Sequence, residues 1–176
     1  SWEPRHGKQK MRKNEESAGE IQAQAIEFRD QFLSVSMATS DAQGCNDCSY
    51  TPHWIDEKGH FYIFVSMLAH HTRNLIENPN VGLMFISDES ASRNLFARKR
   101  LTLKADAYPI ASDDPRREQL LDLLAERQGK MVGMLRQLPD FQLFELIPRE
   151  GRFVRGFGDA WELSGPALAV VKLSRG

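Results

Sequence analysis

Between Arg100 and Ile110 the side chains alternate well, with Leu101, Leu103, Ala105 and Ala107 on one side and Thr102, Lys104 and Asp106 on the other. Alternation at period two over such a length describes an antiparallel strand with one face on a core and the other on solvent or a binding surface. A strand this long needs partners, and the chain offers several short runs rich in β-branched and aromatic residues. These are Val35–Thr39, the continuously apolar Phe61–Ser66, the apolar Val81–Ile86, and Ser49–Ile55, which Pro52 interrupts and so places near an edge or a bulge. Phe141–Ile147 and Gly151–Leu163 read as a long hairpin around Pro148-Arg149-Glu150-Gly151.

Helical spacing is confined to three places. Ile21, Ala25, Phe28 and Phe32 form one apolar face over Glu20–Leu33. A second helix, Ala69–Glu77, stops at Asn78-Pro79, because the residue before proline disfavours helical geometry. Ser112-Asp113-Asp114-Pro115 opens a long third helix striped by Leu120, Leu124, Met131, Leu135 and Leu138, with Gly129 and Gly133 weakening its middle. Regular strand–helix alternation is absent, which argues against a doubly wound parallel sheet. The expected architecture is a closed or nearly closed antiparallel β-barrel with flanking helices, an α+β fold. Residues 1–19, polar and without periodicity, read as a mobile tail, and residues 20–176 as a single domain.

Bulk properties narrow the function. A net charge of −1 over 176 residues argues against general nucleic-acid binding. No apolar run nears the roughly 20 residues of a membrane span, and nothing near the start resembles a signal peptide, so cytoplasm is the expected location. Cys45 and Cys48 lie in a Gly/Asn/Asp-rich turn without further ligands at metal-binding spacing, and read as incidental thiols.

The chemistry concentrates between Leu68 and Leu103. A helix start carries His70, His71, Arg73 and Asn74, and the cluster Arg98-Lys99-Arg100 precedes the next long strand. Cationic groups one strand apart can converge on one anion, and arginine forks and helix N-termini suit phosphate or carboxylate. The expected ligand is therefore an anionic small molecule. Alternation sends Arg98 and Arg100 to one face and Lys99 to the other. Arg73 suits either a phosphate or propionate contact or a surface ion pair, and Asp140 reads as a turn residue before an aromatic strand. Trp54 and Trp161 read as core or interface residues. In Phe153–Trp161, alternation puts Gly156, Gly158 and Ala160 on one face, opposite Phe153, Arg155, Phe157, Asp159 and Trp161. Such bare backbone suits a flat ring, another subunit or a neighbouring barrel layer.

With these residues placed, the chain resembles the flavin-reductase-like split barrels of the pyridoxamine-phosphate-oxidase superfamily, and among them the bacterial haem-utilisation proteins of the HutZ/HugZ type. The matching segments are Ser49–Pro52, His71–Phe85, Leu95–Leu103 and Leu138–Trp161. The Arg-Asn-Leu and Asn-Pro pattern is shared across the superfamily, whereas the Ala97–Thr102 and Gly156-Phe157-Gly158 segments point to the haem group. The resemblance implies a homodimer with two equivalent interface sites, each built from both subunits. It also implies binding of haem b and, with a reductant and oxygen, ring opening that releases iron. By this correspondence Asp140 matches the aspartate that hydrogen-bonds an axial histidine across the dimer, and Arg100 and His71 lie close to the cofactor. Asp140 and Arg100 are the implied catalytic residues; His71, Arg73, Asn74, Arg98, Arg100, Gly156, Phe157 and Gly158 are the implied cofactor contacts. The family's axial histidine follows a Leu-x-x-Gly lead-in, which Leu173-Ser174-Arg175-Gly176 matches. Its place falls just after Gly176, so no metal ligand is assigned, and Lys172 is a poor substitute. The alternatives are an FMN-dependent oxidoreductase, holding the flavin phosphate with Arg73 and the basic cluster, and a non-catalytic dimeric carrier.

Overall fold

A computed structural model describes residues 16–174. The tail expected over residues 1–19 lies outside the described residues up to residue 15, but its end does not behave as tail. Ser17 caps a helix, α1 (Ala18–Asp30), its Oγ accepting from the Glu20 amide at 3.1 Å. Strands β1 (Ser34–Ser40), β2 (Asn46–Pro52), β3 (Trp54–Ile55) and β4 (Phe61–Ser66) follow, then α2 (His70–Glu77) and β5 (Asn80–Ile86). Two single 3-10 turns, Glu89–Ala91 and Leu95–Ala97, lead into β6 (Arg100–Ile110). Helices α3 (Arg117–Gln128) and α4 (Met131–Leu135) precede β7 (Phe141–Gly156), β8 (Asp159–Ser164) and β9 (Ala169–Leu173).

All strand pairs are antiparallel, in the order β2-β1-β5-β6-β7-β4-β3, with β8 and β9 branching from β7. β2 and β3 end this path on both sides, yet only His53 separates them in the chain. The segment read as one strand over Ser49–Ile55 is thus two, starting earlier at Asn46 and broken at His53, and the break joins the two ends of the ladder into a barrel. Cys48 consequently sits in β2 rather than in a turn, and both free cysteines are exposed.

Two further elements differ from expectation. The hairpin around Pro148–Gly151 is instead one 16-residue strand that pairs with β6 from Leu143 to Val154. Its first half also pairs with β4 and its second with β8, so β7 is where the barrel sheet forks. Arg149 is the extra residue of a bulge: Ala105 faces Pro148 while Lys104 faces Glu150. A bulge spares Pro148 the ladder donor it lacks. Gly151 is required there because a Cβ would lie 2.6 Å from Leu103 Cδ2 and 2.9 Å from the Thr102 carbonyl. The true hairpin turn is Phe157-Gly158, with Gly156 opposite Asp159 and Gly158 at φ +61°. Gly156, Gly158 and Ala160 therefore form no strip on one strand face, and Phe157 projects outward, 67% exposed. The third helix is likewise split, since Gly129 at φ +95° stops α3 before α4 begins.

β4 is buried on both faces, which explains its unbroken apolar run. Phe61, Ile63 and Val65 join the barrel interior with Phe85, Leu101, Phe144 and Phe153, and α1 closes that interior with Ile21, Ala25 and Phe28. Tyr62 and Phe64 face outward, beneath Leu120, Leu121 and Leu124 of α3. Lys99 caps the barrel mouth, its ammonium 5.1 Å from the Phe28 ring and 5.8 Å from that of Phe153.

His53, at the barrel's closing point, is 2% exposed, packs 5.5 Å from both Phe61 and Phe85, and has a buried Nδ1 with no partner among the described residues. Burial, reinforced by Arg127, pushes its pKa down to about 4. The folded protein therefore keeps it neutral where the unfolded chain takes up a proton. Stability is expected to fall as pH drops from about 6.5 to about 4, by up to roughly 3 kcal/mol. His53→Leu should remove this acid-side loss while leaving stability at pH 8 little changed, as urea unfolding across pH will report. A wild-type slope retained in the variant would place the lability elsewhere.

Candidate functional site

The nominated residues gather in two groups at opposite ends of the sheet. One group surrounds the start of α2. His71 Nδ1 lies 2.9 Å from Ser49 Oγ of β2, and Asn74 Nδ2 donates to Thr39 Oγ1 of β1 at 3.1 Å. Asp140 joins this end because β7 begins beside the last residue of β4. Ser66 Oγ donates to Asp140 Oδ2 at 2.7 Å, and the Met67 amide donates to the Asp140 carbonyl at 2.8 Å. Thr72 Oγ1 in turn donates to the Ser66 carbonyl, locking the entry to α2. Arg73 is exposed on the same turn.

Burial holds the His71 pKa below the usual imidazole value, against the opposing pull of Asp47. At neutral pH it is an uncharged donor and acceptor with Nε2 uncommitted to Ser49. It is not one of the cations expected at this helix start.

The second group stands where β6 begins. Arg98 Nε donates to the Ser87 carbonyl, and its terminal nitrogen lies 3.8 Å from Glu89. Arg100 Nη1 donates to the Arg98 carbonyl at 2.8 Å. Arg100 faces Ile86 on one side and Val154 on the other, so the Phe157-Gly158 turn lies just beyond it. Leu95 (60% exposed) and Phe96 (90%) precede Arg98 in the 3-10 turn, and Phe157 (67%) lies in the turn beyond Val154. Lys99 points away to the barrel mouth, as alternation requires.

The two groups do not converge within one protomer. β5 does lie beside β6, but α2 attaches at the end of that pair remote from Arg100. Five to six residues of strand separate them, roughly 15–20 Å. Asp140 and Gly156 flank the two ends of β7, about 50 Å apart along the chain. A broad concavity of about 1450 Å³ lies between the ends, running from Ser49 past Ala38, Tyr50 and Met84 to Ile86 and Arg152, and none of the nominated residues lines it. It is formed by the outward-facing side chains of the sheet, and its exposed floor includes Tyr50 at 69%.

Sequence reasoning missed the groups that orient these residues. Ser49, Thr39 and Ser66 are remote in the chain from His71, Asn74 and Asp140, and ordinary strand residues by pattern. It also missed Leu95 and Phe96, whose only signal was two large apolar residues in an otherwise polar connection. Among the described residues no cluster of three or more His, Cys, Asp or Glu suited to a metal ion occurs, and no helix is long and apolar enough to cross a membrane.

Comparison with known proteins places this geometry. The pyridoxamine 5'-phosphate oxidase family model matches residues 21–155. Haem oxygenase HutZ of Vibrio cholerae is 41% identical over 156 residues, covering 89% of this chain and 88% of that protein. The crystal structure of HutZ, described as the haem storage protein from Vibrio cholerae, superposes with a TM-score of 0.67 at 39% identity, covering 72% of this chain and 89% of that one. Campylobacter jejuni ChuZ gives a TM-score of 0.78 at 31% identity, covering 92% of this chain and 66% of that one. A long β6, a forked β7 and a barrel closed at His53 under flanking helices are thus the marks of a shared split barrel, and this chain belongs to the pyridoxamine 5'-phosphate oxidase family, among its HutZ-type members.

Proposed function

We propose that this protein binds haem in sites shared between two copies of itself and promotes its oxygen-dependent breakdown with release of iron. The observation that carries the reading is the 41% identity, over 89% of the chain, to a haem oxygenase. The residues suit the group. Haem is an apolar disc ending in two carboxylates, and the Arg100 end of the sheet pairs arginines with exposed Leu95, Phe96 and Phe157. The second half of the site, at the α2 end, would come from the partner copy, with the concavity between the ends accommodating the two-fold contact.

Bound haem supplies an iron at which oxygen is activated. Arg100 and Arg98 would hold the propionates, Arg100 with the donors its Arg98 contact leaves free. Asp140, held by Ser66, would accept a hydrogen bond from an imidazole that holds the haem iron and make it more electron-donating. His71, neutral and fixed by Ser49, would present Nε2 as a hydrogen-bonding group in a site screened from water by the apolar side chains. We assign this chemistry to the cytoplasm, in keeping with the exposed free thiols of Cys45 and Cys48.

The test is titration of the full-length protein with haemin. A saturable Soret band at one haem per protomer is expected, then bleached by ascorbate in air with iron recovered by a ferrous chelator. A stable band under those conditions would mark a carrier. A yellow protein with flavin absorbance and no saturable Soret change would overturn the haem reading in favour of FMN, which the family model and the exposed Arg73 at the α2 N-terminus would then explain.

A further inference from the structure

A second cavity, of about 570 Å³, shares no residue with either group described above. It is enclosed by the last turn of α1, the β2–β3 break, the Asp56–Gly59 turn, the end of α3 and the Pro166-Ala167 turn. Its wall is apolar where Ile26, Trp54 and Ile55 contribute, and cationic where Arg29 and Arg127 do.

The arginines are unusual. The Arg29 side chain is only 8% exposed, and its Nε donates to Asp30 Oδ1 at 2.9 Å. Among the described residues its two terminal nitrogens have no hydrogen-bond partner, yet they are not sealed from solvent, so they remain free donors beside the cavity that Arg29 lines. Arg127 is held in place by main chain rather than by a carboxylate, its Nη2 donating to the Asp30 and Phe32 carbonyls at 3.1 and 3.3 Å. Asp30 is engaged by Arg29. Asp56 already accepts from the Lys58 and His60 amides and from the Tyr62 hydroxyl. The two arginines thus retain free donors while these two carboxylates are occupied; exposed Glu57 and Lys58, of opposite charge, also line the wall, and the cavity's size suits a one-ring molecule.

We propose that this cavity is a second ligand site, which takes a small organic anion with an apolar body and an oxyanion head, the head gripped by Arg29 and Arg127. Carboxylates and phosphate monoesters share that chemistry.

The experiment is a titration of the isotope-labelled protein with benzoate, phenyl phosphate and, as the neutral control, benzyl alcohol, followed by NMR. Saturable shifts are expected at the Gly59 and Ala167 amides and the Trp54 indole with at least one anion, and none with benzyl alcohol. Whichever anion binds more tightly identifies the head group. Arg127→Gln should weaken binding about tenfold, and Arg127→Lys less, with haemin titration unchanged in both. The inference is overturned if neither anion gives saturable shifts at these positions, if benzyl alcohol shifts them equally, or if a folded Arg127→Gln protein binds as wild type. Should Arg127→Gln fail to fold, the wild-type shift map and the neutral control decide alone. Failure here leaves the haem reading untouched, because none of the residues assigned to haem lines this cavity.

Discussion

Mixing an Arg100→Ala protein with an Asp140→Ala protein, with subunit exchange, is expected to restore about a quarter of the wild-type haem sites. Each variant alone should lose about 10- to 100-fold in haem affinity or turnover, the usual effect of removing a charged partner or the group that orients a metal ligand. The recovery follows from geometry. Arg100 stands where β6 begins, and Asp140 at the far end of β7, tied to Ser66. If each site takes its arginine from one copy and its aspartate from the other, a mixed dimer contains one site with both residues and one with neither. Random exchange makes about half the dimers mixed, and half of their sites intact. A site built within one protomer would give no recovery, since every site would then lack one residue. Soret titration of the mixture before and after exchange separates the two outcomes.

Gly59→Ala is expected to destabilise the protein by about 3–5 kcal/mol, lowering its melting temperature by roughly 10 °C. Gly59 has φ +86°, and a Cβ there would lie 1.9 Å from the Pro166 carbonyl oxygen and 2.7 Å from its carbon. Both obstacles are main chain, so no side-chain rotation relieves them. Either the Asp56–Gly59 turn leaves its ladder, breaking the bonds from the Lys58 and His60 amides to Asp56 Oδ1, or the Pro166 turn shifts. Gly44→Ala is the matched control. Its φ is similar, +84°, but among the described residues nothing lies within 4 Å of an added Cβ, so only backbone strain of about 1 kcal/mol is expected. Thermal unfolding of the two variants should therefore differ widely. Equal losses would show that the contact with Pro166 is not what demands glycine at 59.

Gly59 also illustrates what could be read locally. Its hairpin turn is visible in the sequence, because glycine between two strand-like runs supplies positive φ. The clash with Pro166 is invisible, because that residue approaches from the β8–β9 connection. The strands β4 and β6 were legible for the same reason as the turn: their burial pattern is written in consecutive residues. Pro148–Gly151 misled because proline and glycine mark bulges as well as turns, and only the ladder to β6 distinguishes them. His53 carried no signal as the point where the barrel closes, since that depends on β3 returning to pair with β4.

The candidate site divides along the same line. The residues themselves, His71, Arg73, Asn74, Arg98, Arg100 and Asp140, were nominated from sequence, and the structure places them at two sheet ends with defined neighbours. Their convergence on one protomer was not what the fold produced. Strand alternation correctly separated Lys99 from its two arginines, but it could not reveal that α2 docks on β1 and β2 at the end opposite Arg100.

By itself the sequence determined the antiparallel character of the barrel, the apolar strands of its interior and the chemical types available for a site, because periodicity and turn chemistry act over a few neighbouring residues. Only the tertiary structure decided which end of the sheet each functional group occupies, that β7 runs unbroken through its proline, and that Arg29 and Arg127 share a cavity. Those outcomes depend on register and docking between segments tens of residues apart, where the free energy lies in contacts that no local pattern encodes.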